Sequence, residues 1–404
     1  MDSQAIKICF LADKHSLYDD RIYWKMAVPL KKRGYVVYYY LIGDENIKGT
    51  TKEGINYEIL QLKTFSKNRY LNFFLKRINP NNNYKLLFKK AASLNAEIYH
   101  FHDLWINKIA VKLKKLKHKP VVFYDAREPY AEDYISYIKT SLAFKYVILL
   151  FAKYVEYWEK KQSKNYDLII SNEKIVRNKF RRILGKEKAE VIYNYTDIYI
   201  NYKDLPLKEK EYDFIYCGGI TKQRGAFKIL EATRIAKLKK PNIKTILVGK
   251  YSPVNLKKEL QIFVNENGLK KNVILLSEVR YRDVSNLYNK SKVGLVTLFP
   301  IQTFKISMPI KVFEYMAFGL PIIGSDFGHI KTYIEKENCG ITVKPKNPEA
   351  IAEAMIELLN DDEKLKRYSK NGREATLKKY KWDFEFDRLL KFYNKALDER
   401  DKNR

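Results

Sequence analysis

The chain has 404 residues, 46% of them hydrophobic, which is enough for two domains that each bury a core. It carries 77 Lys and Arg against 47 Asp and Glu, a formal net charge of +30, and both halves are basic. This surplus favours an anionic partner, and a surface that is merely rich in lysine explains it equally well. The three cysteines are widely separated, no run of about 18 apolar residues occurs, and the first ten residues do not resemble a secretory leader. These features predict a cytoplasmic protein and exclude a disulfide-rich scaffold.

Short apolar runs alternate with longer amphipathic stretches along the chain, which is the pattern of buried parallel strands connected by helices. In the first half the predicted strands are Ile6–Ala12, Tyr35–Gly43, Glu97–His102, Val121–Asp125, Asp167–Ser171 and Val191–Asn194. In the second half they are Phe214–Gly218, Thr245–Gly249, Val273–Leu276, Gly294–Leu298, Pro321–Gly324 and Ile341–Val343. The polar segment Thr196–Tyr212 separates the two sets. We expect an α/β protein with two Rossmann-like, doubly wound domains, residues 1–200 and 201–380, facing a central cleft that holds the ligands.

A C-terminal helix is expected over residues 381–404, packing back on the first domain. Another helix-length stretch, Thr140–Tyr157, is apolar but contains Lys145 and Lys153, and it follows the aromatic and basic stretch Phe65–Lys90. A helix that lies in a membrane interface has this composition. Packing of the same helix against the first domain explains the composition as well, so both interpretations stand.

The run FIYCGGITKQRG, Phe214–Gly225, combines a predicted strand, two glycines and two cations ahead of a predicted helix. Glycines let the backbone approach a ligand closely, and a helix N-terminus offers unpaired N–H groups to a phosphate. Lys222 and Arg224 are unfavourable against the helix dipole unless an anion joins them. A solvated basic loop is the alternative interpretation.

The run KISMPIKVFEYMAFGLPIIGSD, Lys305–Asp326, predicts a second part of the same site. Pro309 suits the first turn of a helix and Gly319 its end, so Lys311 falls in the first turn and Glu314 lies three residues later on the same face. A lysine beside donated N–H groups can hold a diphosphate, and a carboxylate one turn later can accept hydrogen bonds from the two hydroxyls of a ribose. An exposed Lys–Glu pair explains the spacing but not its place beside a Ser-x-Pro turn.

These motifs together resemble one enzyme family. SMPIKVFEYMAFGLPIIGSDF, followed by NCGITVKP and preceded by GGITKQRG, is similar to family 4 retaining glycosyltransferases of the GT-B fold, particularly those of bacterial surface-polysaccharide assembly. In the first half, HSLYDDRIYWKMAVPLKKRGY, IYHFHDLW, VVFYDAREPY and VIYNYTD stand in the order and spacing of that family. The resemblance covers nearly the whole chain and is most specific over Lys311–Ser325.

The resemblance implies a role for each matching position. Arg224 and Lys311 are the implied catalytic cations on the donor diphosphate, and Glu314 is implied to hold the ribose. The other implied donor-binding residues are Gly218, Gly219, Lys222, Val312 and Phe313. The residues implied to face the acceptor side of the cleft are Asp19, Asp20, Arg21, His102, Asp103, Arg127 and Glu128.

The chain departs from the family pattern at three positions. Ile306 stands where the family often has the first carboxylate of a Glu, seven residues, Glu pair, so the carboxylate expected on the donor sugar is missing. Gly219 stands where many members have Arg, which leaves more of the phosphate charge to Lys222 and Arg224. Arg127 stands where many members have His.

The resemblance implies transfer of a hexose-type sugar with retention of configuration and without a metal or other cofactor. Breaking the sugar–phosphate bond leaves a negatively charged diphosphate. The chief catalytic need is therefore a positively charged side chain beside that leaving group. No Asp-x-Asp motif suited to Mg²⁺ occurs in the sequence. The expected partners are a nucleotide-sugar and a glycan or lipid-linked acceptor, with the anionic inner face of the cell membrane as a further partner.

Three other functions are alternatives to this one. A nucleotide-sugar epimerase of the same fold would need an acid/base set that the sequence does not offer. A catalytically degenerate GT-B protein is compatible with Ile306 and Arg127. A nucleic-acid-binding protein is disfavoured, because the positive charge is spread over both halves and no nucleic-acid-binding module is recognisable.

Overall fold

The computed structural model describes residues 5–13, 15–61, 67, 84–127 and 142–403. The chain forms two compact units. Unit 1 comprises Met1–Tyr193 and Glu385–Arg404, and unit 2 comprises Asn194–Phe384. The division therefore falls slightly before residue 200, where the sequence placed it, and the chain returns to unit 1 at Glu385.

Unit 1 is built on an eight-stranded sheet with the order β3-β4-β2-β1-β5-β6-β7-β8. All neighbours are parallel except the edge pair β3 and β4. The central strands are buried on both faces, which is why they are continuous apolar runs in the sequence. The strands are β1 Lys7–Asp13, β2 Val36–Gly43, β3 Ile47–Thr50, β4 Asn56–Gln61, β5 Ile98–His102, β6 Val121–Asp125, β7 Leu168–Ser171 and β8 Ala189–Val191.

The helices of unit 1 cover the sheet and complete its core. Phe101 and Tyr124 of the sheet stack in parallel at 4.7 Å in a cluster that also contains Leu113 and Phe180 from the helices. A π-helical segment, Asp20–Ala27, continues into the first α-helix. The described α-helices are Val28–Lys32, Tyr84–Ser93, Asn107–Lys114, Leu142–Ser163 and Lys174–Leu184, together with the part of Trp382–Lys402 that belongs to unit 1.

Unit 2 is built on a six-stranded parallel sheet with the order β11-β10-β9-β12-β13-β14, which is the Rossmann order 3-2-1-4-5-6. Its strands are β9 Tyr212–Cys217, β10 Thr245–Val248, β11 Val273–Leu276, β12 Ser291–Val296, β13 Ile322–Ser325 and β14 Gly340–Val343. Its α-helices are Ala226–Lys237, Leu256–Glu266, Val284–Asn289, Gln302–Ile306, Ile310–Ala317, Gly328–Lys336, Pro348–Asn360 and Asp362–Lys379.

The fold class expected from the sequence, two doubly wound α/β domains, is confirmed. All twelve predicted strands overlap observed ones, although the sixth, predicted at Val191–Asn194, lies earlier at Ala189–Val191. The edge strand β3 and its neighbour β4 were not predicted. Of the described helices, none is long and apolar enough to cross a membrane.

Strand order reverses once in each sheet, between β1 and β5 in unit 1 and between β9 and β12 in unit 2. At such a point the connections leave the two carboxyl ends in opposite directions, and a crevice remains between them. Several of the residues singled out in the sequence cluster at these two places.

Candidate functional site

The first cluster lies in unit 2, at the carboxyl ends of β9 and β10. The backbones that follow these two strands are in direct contact there, with no side chain between them. The Gly218 N–H donates to the Val248 carbonyl at 2.9 Å. Gly249 has φ +153°, and a Cβ atom on it would lie 1.7 Å from the Gly218 carbonyl oxygen. Only glycine at position 249 permits this approach, so the Gly218–Gly219 loop is held directly on the sheet.

The loop after Gly219 is fixed by a short turn and a glycine. The Thr221 hydroxyl accepts from the Arg224 N–H at 3.1 Å, which caps a 3-10 turn over Lys222–Arg224. Gly225 follows with φ +81° and begins the helix Ala226–Lys237. A Cβ atom on Gly225 would lie 2.4 Å from the carbonyl oxygen of Thr297, which directly follows β12, so the loop packs on the end of that strand.

Arg224 and Lys311 approach the same glycine. A Cβ atom on Gly218 would lie 3.6 Å from Lys311 Cε and 3.9 Å from Arg224 Nη1, and one on Gly219 would lie 3.9 Å from Arg224 Nε. The Arg224 guanidinium also lies over the Phe304 ring at 5.2 Å. Two positive side chains therefore flank a backbone loop at the switch point of the sheet.

Glu314 joins this cluster from the helix Ile310–Ala317. Its Oε2 atom accepts from Lys311 Nζ at 2.7 Å and from the Tyr288 hydroxyl at 2.5 Å, and Lys311 Nζ lies 3.3 Å from that hydroxyl. The carboxylate is almost completely buried, whereas the Lys311 side chain is 30% exposed. Burial and the nearby Cys217 and Glu314 raise the pKa of Tyr288 well above its usual value, so its hydroxyl stays protonated and donates.

The charges in this cluster do not cancel. The Lys311–Glu314 pair is neutral as a whole, and Arg224 adds one positive charge beside the Gly218–Gly219 loop. Lys311 also lies in the first turn of its helix, where a cation is unfavourable against the dipole. An anion bound at this place would relieve both effects.

The structure brings Gly218, Gly219, Arg224, Lys311 and Glu314 together, but not the other implied donor-binding residues. The Lys222 side chain is 58% exposed and pairs with Glu259 at 2.8 Å. Val312 and Phe313 are fully buried in the core of unit 2. The Phe313 ring contacts the rings of Tyr195, Tyr333 and Tyr380. The Lys222 and Phe313 side chains therefore contact groups outside the glycine loop.

The second cluster lies in unit 1, at the carboxyl ends of β1, β5 and β6. The His15 ring bridges two carboxylates, with Nδ1 at 3.0 Å from Asp19 and Nε2 at 3.0 Å from Asp103. Arg127 Nη1 lies 3.4 Å from Asp19 and 3.2 Å from His15 Nδ1. Asp19 also accepts from the N–H groups of Arg21 and Ile22, which caps the helical segment that begins at Asp20.

Asp103 has an unusual backbone. Its φ of +74° and ψ of 145° fall in a region that non-glycine residues rarely occupy, and such strain tends to occur at functional sites. Its Oδ2 atom accepts from the Asp13 N–H at 2.9 Å, which ties the end of β5 to the end of β1. The strained residue therefore presents its carboxylate at the switch point of the sheet.

The ionisation of the second cluster follows from its contacts. Burial lowers the pKa of His15, but the hydrogen bonds to Asp103 and Asp19 outweigh it and raise the pKa to about 9. Burial raises the pKa of Asp19, but Arg127 and His15 hold it far below its usual range. His15 also holds the pKa of Asp103 low against burial. At neutral pH the cluster therefore contains two cations and two anions.

A fully buried layer supports this cluster. Arg21 donates to Asp125 at 2.7 Å through Nε, and His102 Nδ1 lies 3.3 Å from the same carboxylate. His100 Nδ1 lies 2.5 Å from the Tyr393 hydroxyl. Ligand atoms of His100, His102 and Asp125 lie within 4.8 Å of one another, a grouping that could hold a metal ion. Burial lowers the pKa of both histidines, so they are neutral, as metal ligands must be. The negative charge of Asp125, however, is already balanced by Arg21.

The acceptor-side predictions divide accordingly. Asp19, Asp103 and Arg127 form the second cluster, whereas Arg21 and His102 lie beneath it. Asp20 pairs with Lys25 at 3.4 Å. Glu128 lies outside the described residues.

The sequence interpretation missed two residues of these clusters, His15 and Tyr288. His15 belongs to the run HSLYDD that was noted in the sequence, four residues before Asp19, and that spacing was the signal available. Tyr288 stands in an ordinary helix, and nothing in its surroundings marks it.

Comparisons with known proteins agree with this architecture. Residues 198–375 match the family model "Glycosyl transferases group 1". An uncharacterized glycosyltransferase of Methanocaldococcus jannaschii is 27% identical over 228 residues, which are 56% of this chain and 59% of the relative. The capsular polysaccharide biosynthesis glycosyltransferase CapM of Staphylococcus aureus is 27% identical over 186 residues, 46% of each chain. The chain thus spans about half the length of the curated relatives it matches.

A solved structure extends the comparison to nearly the whole chain. Anabaena HepE in complex with UDP and glucose superposes with a TM-score of 0.71 and 16% identity, over 96% of this chain and 100% of that one. At this identity the likeness establishes the fold alone. The chain therefore has the GT-B fold, and its residues 198–375 are similar to the glycosyl transferases group 1 family.

Proposed function

We propose that the protein is a glycosyltransferase that moves a hexose-type sugar from a nucleotide-diphosphate sugar to a glycan or lipid-linked acceptor. The observation that carries the proposal is the convergence of Arg224 and Lys311 on Gly218, within the part of the chain that matches group 1. The names of the similar proteins support it, because they include a capsular polysaccharide glycosyltransferase and a protein bound to UDP and glucose.

The reaction follows from the charges in unit 2. The bond between the sugar carbon and the diphosphate oxygen breaks, and a bond from that carbon to the acceptor oxygen forms. Arg224 and Lys311 stabilise the charge that collects on the diphosphate, and the acceptor proton passes to a diphosphate oxygen. The products are a glycoside of retained configuration and a nucleoside diphosphate. Glu314, held by Tyr288, accepts hydrogen bonds from the ribose hydroxyls.

The second cluster is proposed to bind the acceptor. Asp19 and Asp103 are ionised and partly exposed, so they can accept hydrogen bonds from sugar hydroxyls, and Arg127 can donate to the ring or linkage oxygens. His15 holds the two carboxylates in place. The acceptor is proposed to be lipid-linked or a glycan at the cytoplasmic face of the cell membrane, which the basic composition favours.

Nucleotide binding by matched variants tests the donor site. We expect Arg224→Gln and Lys311→Gln to lower turnover more than they weaken binding of UDP, GDP or ADP. Each substitution should raise the activation free energy of transfer by about 2–4 kcal/mol, because one positive charge on the diphosphate is lost. Gln at position 311 removes the charge but keeps a donor for Glu314. Glu314→Gln should chiefly weaken nucleotide binding, by about 1–3 kcal/mol, because the ribose does not change during the reaction. Calorimetry and release of nucleoside diphosphate measure both effects.

Lys228→Gln is the charge control for this series, because Lys228 pairs with Glu231 on the following helix. Lys222→Gln, which removes a charge from the turn itself, tests whether that side chain takes part. Wild-type nucleotide affinity in Glu314→Gln, or wild-type turnover in Arg224→Gln combined with Lys311→Gln, would show that the donor binds elsewhere.

Transfer is proposed to need no metal. The positive charge that a metal would supply is present in Arg224 and Lys311, so turnover should survive chelation by EDTA. Loss of turnover that Mg²⁺ or Mn²⁺ restores would contradict this. Loss of thermal stability without loss of nucleotide binding would direct attention to the His100, His102 and Asp125 group instead.

A further inference from the structure

The helix Leu142–Ser163 has two chemically different faces. One face consists of Ile148, Ala152, Val155, Glu159 and Ser163, all of them buried. Their spacing of three to four residues places them on one side of the helix. Trp158 stacks on Trp105 at 5.9 Å and Tyr124 donates to Glu159 at 2.6 Å, so this side is fixed to unit 1.

The opposite face of this helix exposes large apolar side chains. Tyr146, Leu150, Tyr154 and Tyr157 are 65%, 68%, 59% and 63% exposed. Their spacing of four, four and three residues aligns them in one stripe about three turns long. Scattered exposed apolar residues need no explanation, but four large ones aligned along one side of a helix mark an interaction surface.

Positive charge accompanies the stripe. Lys153 and Lys161 are exposed, and a rotation of 100° per residue places them on the same side as the stripe. Lys164, directly after the end of the helix, is exposed as well. The next helix, Lys174–Leu184, has five basic and no acidic residues, and its Lys179 pairs with Glu159 at 3.3 Å. The two helices therefore lie side by side, and Ile175 adds another apolar side chain that is 52% exposed.

We propose that this surface, the stripe with its flanking lysines and the Lys174–Leu184 helix, docks on a membrane that contains acidic lipids. Tyrosines prefer the boundary between headgroups and acyl chains, lysines extend from that depth to the phosphates, and the basic helix adds electrostatic attraction. The inference deepens the membrane part of the proposed function and does not depend on the transfer reaction.

The charge of the surface favours lipid over a second copy of the chain. A symmetric dimer places the same surface on both sides of the interface, so it would press two basic helices against each other. An acidic bilayer neutralises those charges instead. The two interpretations of Thr140–Tyr157 in the sequence are thus compatible, because one face packs on unit 1 while the other is free to bind lipid. Residues 140–141, and most of Phe65–Lys90, lie outside the described part of the chain.

Flotation of the full chain with lipid vesicles tests the proposal. The wild type should bind vesicles of phosphatidylcholine with phosphatidylglycerol, bind pure phosphatidylcholine much less, and lose binding as salt rises. Tyr154→Ser with Tyr157→Ser should abolish binding. Lys153→Gln with Lys161→Gln should weaken binding about 25-fold, since each cation near an acidic surface contributes about fivefold.

Two control pairs in unit 2 match these changes. Leu238→Ser with Ile262→Ser removes exposed apolar side chains, and Lys366→Gln with Lys370→Gln removes exposed charges. Both pairs should bind vesicles like the wild type. Absence of binding to acidic vesicles at low salt, or equal loss in variants and controls, would overturn the proposal. The proposal would also be overturned if the wild type did not bind vesicles but formed a dimer by light scattering, and if Tyr154→Ser with Tyr157→Ser dissociated that dimer.

Nucleotide calorimetry on the same variants separates this result from the transfer reaction. Every one of these variants should keep wild-type nucleotide affinity. Failure of vesicle binding with intact nucleotide binding rejects the docking surface alone.

Discussion

At the scale of single residues, His15 couples the protonation of unit 1 to its stability. Its pKa is raised from 6.5 to about 9 in the folded chain. Between these two pH values, the folded state keeps a proton that the unfolded state has released. The stabilisation is complete below pH 6.5 and is lost as pH rises toward about 9. Asp19 and Asp103 stay ionised over this range, because their pKa values are lowered.

We therefore expect the free energy of unfolding to fall by at most about 3 kcal/mol across this interval, and His15→Gln to remove that fall. Urea titrations below pH 6.5 and above pH 9 measure it. An equal decrease in the wild type and in His15→Gln would assign the pH dependence to another group.

Single residues were also where sequence interpretation was least complete. Lys311 and Glu314 are three positions apart on one helix, so their contact is a local property and could be predicted. Tyr288 reaches Glu314 from another helix, and Arg127 reaches His15 from another strand end. Such contacts depend on how the sheet is assembled, and a linear pattern does not contain them.

At the scale of elements, Gly249 controls the shape of the Gly218–Gly219 loop. A methyl group at position 249 would collide with the Gly218 carbonyl oxygen, and backbone cannot rotate away as a side chain can. We expect Gly249→Ala to lower the free energy of unfolding by about 1–3 kcal/mol and to weaken nucleotide binding. Urea unfolding and nucleotide calorimetry measure the two effects.

Gly268→Ala is the control for this change. Gly268 also has a positive φ, +64°, but its nearest neighbour would be Lys237 Nζ at 3.9 Å. Gly268→Ala should lower the free energy of unfolding by about 1–2 kcal/mol through backbone strain, and it should leave nucleotide affinity unchanged. Equal nucleotide affinity in both variants would mean that the loop does not contact the nucleotide.

Elements were predicted well where burial determines the sequence. The parallel strands must be apolar on both faces, so they stand out as apolar runs between amphipathic stretches. β3 has the sequence IKGT and is exposed along its whole length, so no burial pattern marks it. Among the described strands it pairs with β4 alone, and the residues of β4 are mostly half-buried.

At the scale of the whole molecule, the two units differ in chain continuity. Unit 2 is one uninterrupted segment, whereas unit 1 needs residues 385–404 from the far end of the described chain. In that segment Tyr393 contacts His100 and Phe123, and Glu385 accepts from the Tyr193 N–H at 3.1 Å. Residues 1–193 alone would leave His100 and Phe123 without these contacts.

We expect a fragment of residues 194–384 to unfold cooperatively by itself and a fragment of residues 1–193 to do so only when a peptide of residues 385–404 is added. Circular dichroism during urea titration measures both transitions. The same peptide with Tyr393→Ala should rescue the fragment less well, because it cannot contact His100 and Phe123. Cooperative unfolding of residues 1–193 without any peptide would show that the helix is dispensable.

The return of the chain to unit 1 has a consequence for biosynthesis. The ribosome makes residues 1–193 first, but the helix that covers their sheet follows only after the roughly 190 residues of unit 2. At about 5–20 residues per second, the incomplete unit waits for about 10–40 s with His100 and Phe123 uncovered. During translation, unit 2 can therefore finish folding before unit 1, and the apolar Phe123 ring stays open to chaperones until the last helix is made.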